Sequence, residues 1–229
     1  MSTSSWLTAI GLVVLGYVVG SLSPSVFLGK LFKGVDVRTH GSGNAGTTNA
    51  FRVLGVKLGV AVLVADVLKG VLPVLLAKYL STPLVTVLVA FACVIGHNYS
   101  IFLRGKGGKG VATGAGAALA MMPIPMAIVV VLFVLLLVTT RVVSIASIAC
   151  TIMFPVMAAV FHQPLAYIVG ACVMAVVVLW AHRGNLRRLW RHQEPRVNFP
   201  WNKRAGDEPG PGAGSLQEAA PPDPEATAR

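Results

Sequence analysis

Gly41-Ser42-Gly43-Asn44-Ala45-Gly46-Thr47-Thr48-Asn49 fits the pattern G-x-G-x-x-G, and the fold turns on how it is read. In a soluble α/β protein this pattern would follow a strand, open a helix and cradle a dinucleotide. Here no strand precedes it and no α/β alternation follows. The acid expected about 20 residues on would have to come from an apolar helix. The stretch is instead a polar island in an oily chain. Of the 229 residues, 55% are hydrophobic and 12% charged, with a mean hydropathy of +0.75. That balance points to an all-α integral membrane protein rather than a soluble domain.

A hydrocarbon core of about 30 Å needs roughly 20 apolar residues per helix. On that ruler about seven spans are predicted, near 6–29, 53–80, 84–103, 111–122, 125–140, 142–161 and 164–182. The fourth, Val111 to Met122, is short and rich in Gly and Ala, and Pro123 and Pro125 follow it closely. Gly16/Gly20, Gly55/Gly59 and Gly110/Gly114 are spaced four apart, as small residues are where helices pack closely. Asp66 and Lys69 lie one turn apart in span two; either they neutralise each other or they face the bundle interior.

The net charge of +11 comes from cations clustered between the apolar runs, so it does not call for nucleic acid. With seven spans and the N-terminus outside, one side holds Lys30, Lys33, Arg38, Arg52, Lys57, Arg104, Lys106, Lys109, Arg141 and the run from Arg183 to Arg204. The other side holds little but Lys78. The positive-inside rule then places the C-terminus and all three polar islands in the cytoplasm. No cation precedes the first apolar run, so a cleaved signal is not expected. Cys93, Cys150 and Cys172 stand singly in apolar runs and read as small buried hydrophobes, not as disulfides or zinc ligands. Carboxylates are scarce, and Asp36 and Asp66 do not form a ligand set; no metal and no cofactor is expected. Residues 1–201 read as the membrane domain, and the Pro, Gly and acid-rich stretch 202–229 as a disordered cytoplasmic tail.

The islands share a design. The first leads into span two, where Arg52 could grip a phosphate; helix N-terminal amides carry partial positive charge and bind anions. A plain turn capped by Thr or Asn is the competing reading. The second, His97 to Gly110, ends in Arg104-Gly105-Lys106-Gly107-Gly108-Lys109-Gly110 and enters span four. It lacks the hydroxyl of a Walker A loop, yet its glycines and cations before a helix start favour phosphate. His182 and Asn185, at i and i+3, close span seven and can orient or polarise a hydroxyl. Trp180 and Trp190 suit an interfacial belt. His97, with Gly96 and Asn98, braces from span three. His40 and His192 read as solvated, and His162 lies on the opposite face.

At these islands the sequence resembles the bacterial membrane acyl-phosphate:glycerol-3-phosphate acyltransferases, the PlsY family. The match runs from Gly20-Ser21-Leu22-Ser23-Pro24-Ser25 to Glu194. It is carried by Gly41-Ser42-Gly43-Asn44 with Gly46 and Thr48-Asn49, by Gly96-His97-Asn98 and Lys106-Gly107-Gly108-Lys109-Gly110-Val111-Ala112-Thr113, and by His182-Arg183 with Asn185-Leu186. Tyr99-Ser100 and Arg104-Gly105 depart from the family pattern.

The resemblance implies seven helices in the bacterial inner membrane, an active site at the cytoplasmic face, and acyl transfer from acyl phosphate to the 1-hydroxyl of glycerol 3-phosphate. It implies Ser42, Lys109, His182 and Asn185 as catalytic residues. Arg52, Gly43, Asn44, Gly46, Thr48, Asn49, Lys106, Gly107, Gly108 and His97 would bind the substrates. An organic-phosphate transporter is the rival; it would place its site near the midplane and carry inverted repeats, which the sequence does not show.

Overall fold

The computed structural model describes residues 3–197, with side chains from residue 5, and among these the regular structure is all helix, joined by loops. The tail expected at 202–229 lies outside the described residues. The chain runs through α1 (Thr3–Ser21), α2 (Pro24–Lys33), α3 (Thr47–Leu54), α4 (Val56–Leu80) and α5 (Pro83–Asn98). It continues through α6 (Val111–Met121), α7 (Pro123–Thr140), α8 (Val143–Val160), α9 (Leu165–Ala181) and α10 (Arg183–Trp190). Short 3-10 turns stand at Val37–Thr39 and Ile101–Leu103.

Among the described residues seven apolar helices stand where seven apolar runs were predicted, but they are not equal. Five are long and apolar enough to cross a membrane, counting Ser5–Lys33 as one. A sixth is α9 with α10, bent by 59°. The seventh, α6, has 11 residues; at 1.5 Å per residue it covers about half of the hydrocarbon thickness. The side chains facing outward are those that belong in lipid: Leu7, Ile10, Val131, Val134, Leu135 and Val176 are all more than half exposed. Polar groups are inside instead, with Ser21, Ser25, Asn49, Asp66, His97, Thr113, His182 and Asn185 all buried.

Close backbone contact sets the helix directions. A Cβ on Gly20 would collide with the backbone of Cys93, and one on Gly96 with the Tyr17 carbonyl. Gly16 meets Val89, so residue numbers rise together and α1 and α5 run parallel. A second close approach joins α4 and α6, where Gly70 abuts the Thr113 carbonyl and Gly116 the Val67 carbonyl. At the far end Lys78 Nζ donates to the carbonyls of Ala120 and Met121, both at 3.1 Å. This cation on the last carbonyls of α6, contributed from the last turn of α4, fixes those two helices as parallel as well.

Three local expectations are corrected. Gly55 has φ +84 and breaks the chain between α3 and α4, and Gly110 has φ +77 ahead of α6. The pairs Gly55/Gly59 and Gly110/Gly114 therefore do not share a helical face, and Gly70 with Gly116 carries the close approach instead. The first island leads not into the long second span but into the separate eight-residue α3, on which Arg52 sits. Cys172 is exposed on the outer face, while Cys93 and Cys150 are buried.

Candidate active site

The first island is a loop held rigid from beneath. Asn49, 1% exposed, donates through Nδ2 to the carbonyls of Val37 (2.7 Å) and His40 (3.1 Å) and accepts the Ser42 amide at 2.9 Å. Its amide is fully committed to shaping the loop. Ser25 Oγ, from the start of α2, donates to the Ala45 carbonyl at 2.6 Å. Gly46 caps α3 without a side-chain oxygen, which leaves the first amides of that helix open to an anion. The Ser42 hydroxyl and Arg52 are exposed, and Thr48 and Asn44 are half-buried. Upstream, Arg38 pairs with Asp36 at 2.7 Å, and that guanidinium holds the Asp36 carboxyl down at about 2.

The second island folds back on the end of α5. Amides of Gly107 and Gly108 donate to the carbonyls of Asn98 and His97 at 3.1 and 3.0 Å. A Cβ at Gly107 would strike the His97 carbonyl, and one at Gly108 the His97 ring. Part of the glycine content thus serves packing, which the sequence reading had given wholly to anion approach. Gly110 then takes the left-handed conformation and caps α6, again without a side-chain oxygen. Lys106 is exposed, beside Arg38 and Arg104 at the rim of a cavity of about 290 Å³.

From this loop Lys109 reaches the third island. Its Nζ donates to Asn185 Oδ1 at 2.6 Å. Asn185 Nδ2 donates to Glu194 Oε1 at 2.6 Å, and Arg188 Nε to Glu194 Oε2 at 2.7 Å. His182, 3% exposed, sits in the bend between α9 and α10. Its Nδ1 donates to the Val178 carbonyl at 2.8 Å. A carbonyl can only accept, so Nε2 is left with the lone pair. The charges of Lys109 and Glu194 reach His182, and those of Arg52, Arg188 and Glu194 reach Lys109. Burial, with the charges of Arg188 and Arg52, holds the Lys109 ammonium below the ordinary lysine range. For Glu194 burial pushes the carboxyl up, but its bonds to Asn185 and Arg188 outweigh that and hold it down.

The fold therefore brings Lys109, Asn185, His182 and Arg52 into one electrostatic neighbourhood drawn from three separate islands. Ser42 is on the loop that leads to Arg52, its side chain facing outward. His97 is not free to meet a ligand: it is 6% exposed and packed under Gly108. Glu194 and Arg188 were not singled out from the sequence. The available signal was one acid closing a run of cations from Arg183 to Arg191. Trp180 lies against Arg183, whose guanidinium is 3.9 Å from the ring centre, as in an interfacial belt. Among the described residues no group of His, Cys, Asp and Glu is arranged to hold a metal.

The chain matches the sequence model of one family, glycerol-3-phosphate acyltransferase, over residues 10–192. A glycerol-3-phosphate acyltransferase of Shouchella clausii is 40% identical over 190 residues, which covers 80% of this chain and 93% of the relative. One of Myxococcus xanthus is 42% identical over 187 residues, covering 81% and 97%. Two crystal structures of PlsY, an integral membrane glycerol 3-phosphate acyltransferase, superpose on it. The glycerol 3-phosphate form gives a TM-score of 0.81 at 37% identity, the lysophosphatidic acid form 0.79 at 36%; each covers 83% of this chain and 96% of the other.

Proposed function

The chain belongs to the glycerol-3-phosphate acyltransferase family, the PlsY family, and from that premise we propose that it transfers a fatty acyl group from acyl phosphate to the 1-hydroxyl of glycerol 3-phosphate. The products are lysophosphatidic acid and inorganic phosphate, as in the first acylation of phospholipid synthesis. The observation that carries the reading is the Lys109–Asn185 contact beside His182, an anion-binding and hydroxyl-orienting cluster at helix ends on one side of the bundle. In this reading that side is the cytoplasmic face of the bacterial inner membrane, with the N-terminus outside. Membrane lipids surround the outward-facing apolar side chains.

Ser42, Arg52, Lys109, His182 and Asn185 hold glycerol 3-phosphate. The loop amides of Gly43, Asn44 and Gly46, with Thr48, hold the phosphate of the donor. Lys106, with the loop of Gly107 and Gly108, completes the cationic surround. Asn49 and His97 act from beneath, by fixing the loops. His182 Nε2 accepts a hydrogen bond from the 1-hydroxyl, whose oxygen attacks the acyl carbon. The C–O bond to phosphate breaks, and the hydroxyl proton passes through His182 Nε2 to the departing phosphate. The donor is already activated, so no acyl-enzyme is required. Holding two substrates in register is worth about 7–11 kcal/mol of barrier.

The test is phosphate release by the purified protein in lipid vesicles. Release should require both acyl phosphate and glycerol 3-phosphate and should yield one lysophosphatidic acid per phosphate. Uptake of glycerol 3-phosphate into the vesicles without acylation would replace the enzyme with a transporter. An acylated Ser42 trapped during turnover would overturn direct transfer.

A further inference from the structure

The buried charges of α4 stand apart from the catalytic cluster, and their partners are instructive. Asp66 and Lys69 form an ion pair at 2.9 Å, with side chains 1% and 5% exposed. A buried ion pair of this kind is often no better at holding helices together than an apolar pair of similar volume, so its other bonds point to what it does. Each remaining bond of this pair leads to a different segment. Asp66 Oδ2 accepts from Thr47 Oγ1 at 2.9 Å, and Thr47 is the first residue of α3, directly after the Gly41–Gly46 loop. Asp66 Oδ1 lies 3.6 Å from His97 Nδ1, which also meets Thr113 Oγ1 at 3.2 Å. His97 in turn supports Gly107 and Gly108. Lys69 Nζ donates to the Leu22 carbonyl at 2.6 Å, in the break between α1 and α2.

We propose that Asp66 and Lys69, acting through Thr47 and His97, are positioning residues that set the first phosphate loop in register with the second. The inference rests on the reading of the two loops given above, and it assigns the pair no contact with substrate. Its distinctive link is the Thr47 hydroxyl, the one direct side-chain bond from the α3 start to the pair. A structural pair would tolerate loss of that hydroxyl. A positioning pair would not, since small displacements of binding groups are costly in rate.

The test compares Thr47→Val, Thr47→Ser, Asp66→Asn and the Thr47→Val/Asp66→Asn double variant, all as full-length protein in vesicles. Valine keeps the shape and removes the hydroxyl; serine keeps the hydroxyl. Thr47→Val should lower kcat roughly 10- to 100-fold, with Thr47→Ser within about twofold of the parent and the double variant no worse than Asp66→Asn alone. Amide hydrogen exchange across residues 41–46 should accelerate in Thr47→Val and Asp66→Asn and stay at the parental rate in Thr47→Ser. Parental kcat and parental exchange in Thr47→Val would overturn the proposal, as would equal damage from valine and serine. Should the parent release no phosphate from acyl phosphate, the proposed donor falls, and the exchange comparison still decides the positioning role.

Discussion

Lys109 Nζ donates a 2.6 Å hydrogen bond to Asn185 Oδ1, joining two residues 76 positions apart. One comes from a glycine-rich loop ahead of α6 and the other from the first turn of α10. Asn185 spends its other end on Glu194, so its orientation is fixed: oxygen toward the lysine, nitrogen toward the carboxylate.

Removing the cation therefore tests substrate binding directly. Lys109→Ala should raise the glycerol 3-phosphate KM about 10- to 100-fold, the range for losing a charge-assisted hydrogen bond of about 1.5–3 kcal/mol. Steady-state kinetics at fixed donor would show it, and an unchanged KM would remove Lys109 from the phosphate.

The Lys109 ammonium also predicts a pH effect. Burial and the nearby Arg188 and Arg52 charges lower its pKa, so it loses its proton at a lower pH than a free lysine. On the alkaline side, KM for glycerol 3-phosphate should rise before the ordinary lysine range is reached. Lys109→Arg, which stays charged, should abolish that rise even if its basal KM is worse.

Glu194 holds both Asn185 and Arg188, with its side chain only 7% exposed. Its carboxyl is held below its ordinary value, so its stabilising contribution is full above the unfolded pKa. The contribution is lost as pH falls through the folded one. Glu194→Gln should cost about 1.5–3 kcal/mol, and the variant's stability should fall less than the parent's on acidification. Thermal unfolding in detergent across pH reads both.

The two classes of glycine separate by substitution. Gly108→Ala drives a Cβ into the His97 ring and should cut activity by at least about tenfold, by shifting the loop. Gly184→Ala, on α10 with its nearest contact 3.7 Å away at a flexible Arg188 terminus, should leave activity within about twofold of the parent. Activity assays on equal amounts of folded protein decide between packing and loop flexibility as the role of Gly108.

Much of this was open to sequence reading because the bilayer simplifies the problem. Long apolar runs declare helices, and polar residues between them have few places to go. Other features were hidden for specific reasons. The separate α3 depends on one positive φ at Gly55, which no hydropathy window detects. Glu194 is a single acid whose meaning comes from Asn185 and Arg188. The glycines at 107 and 108 look like flexibility until His97 is placed beneath them.

Composition and period alone determined an all-helical membrane protein with three polar islands, because burying unsatisfied backbone in hydrocarbon leaves helices as the natural spanning form for such runs. Which islands touch was decided by tertiary packing. Glycine contacts at Gly20 and Gly96 set α1 and α5 parallel, Lys78 on the end of α6 does the same for α4 and α6, and the partners of the Asp66–Lys69 pair come from segments that only this packing brings together. Such contacts depend on distance in space, and a linear order of residues does not carry that distance.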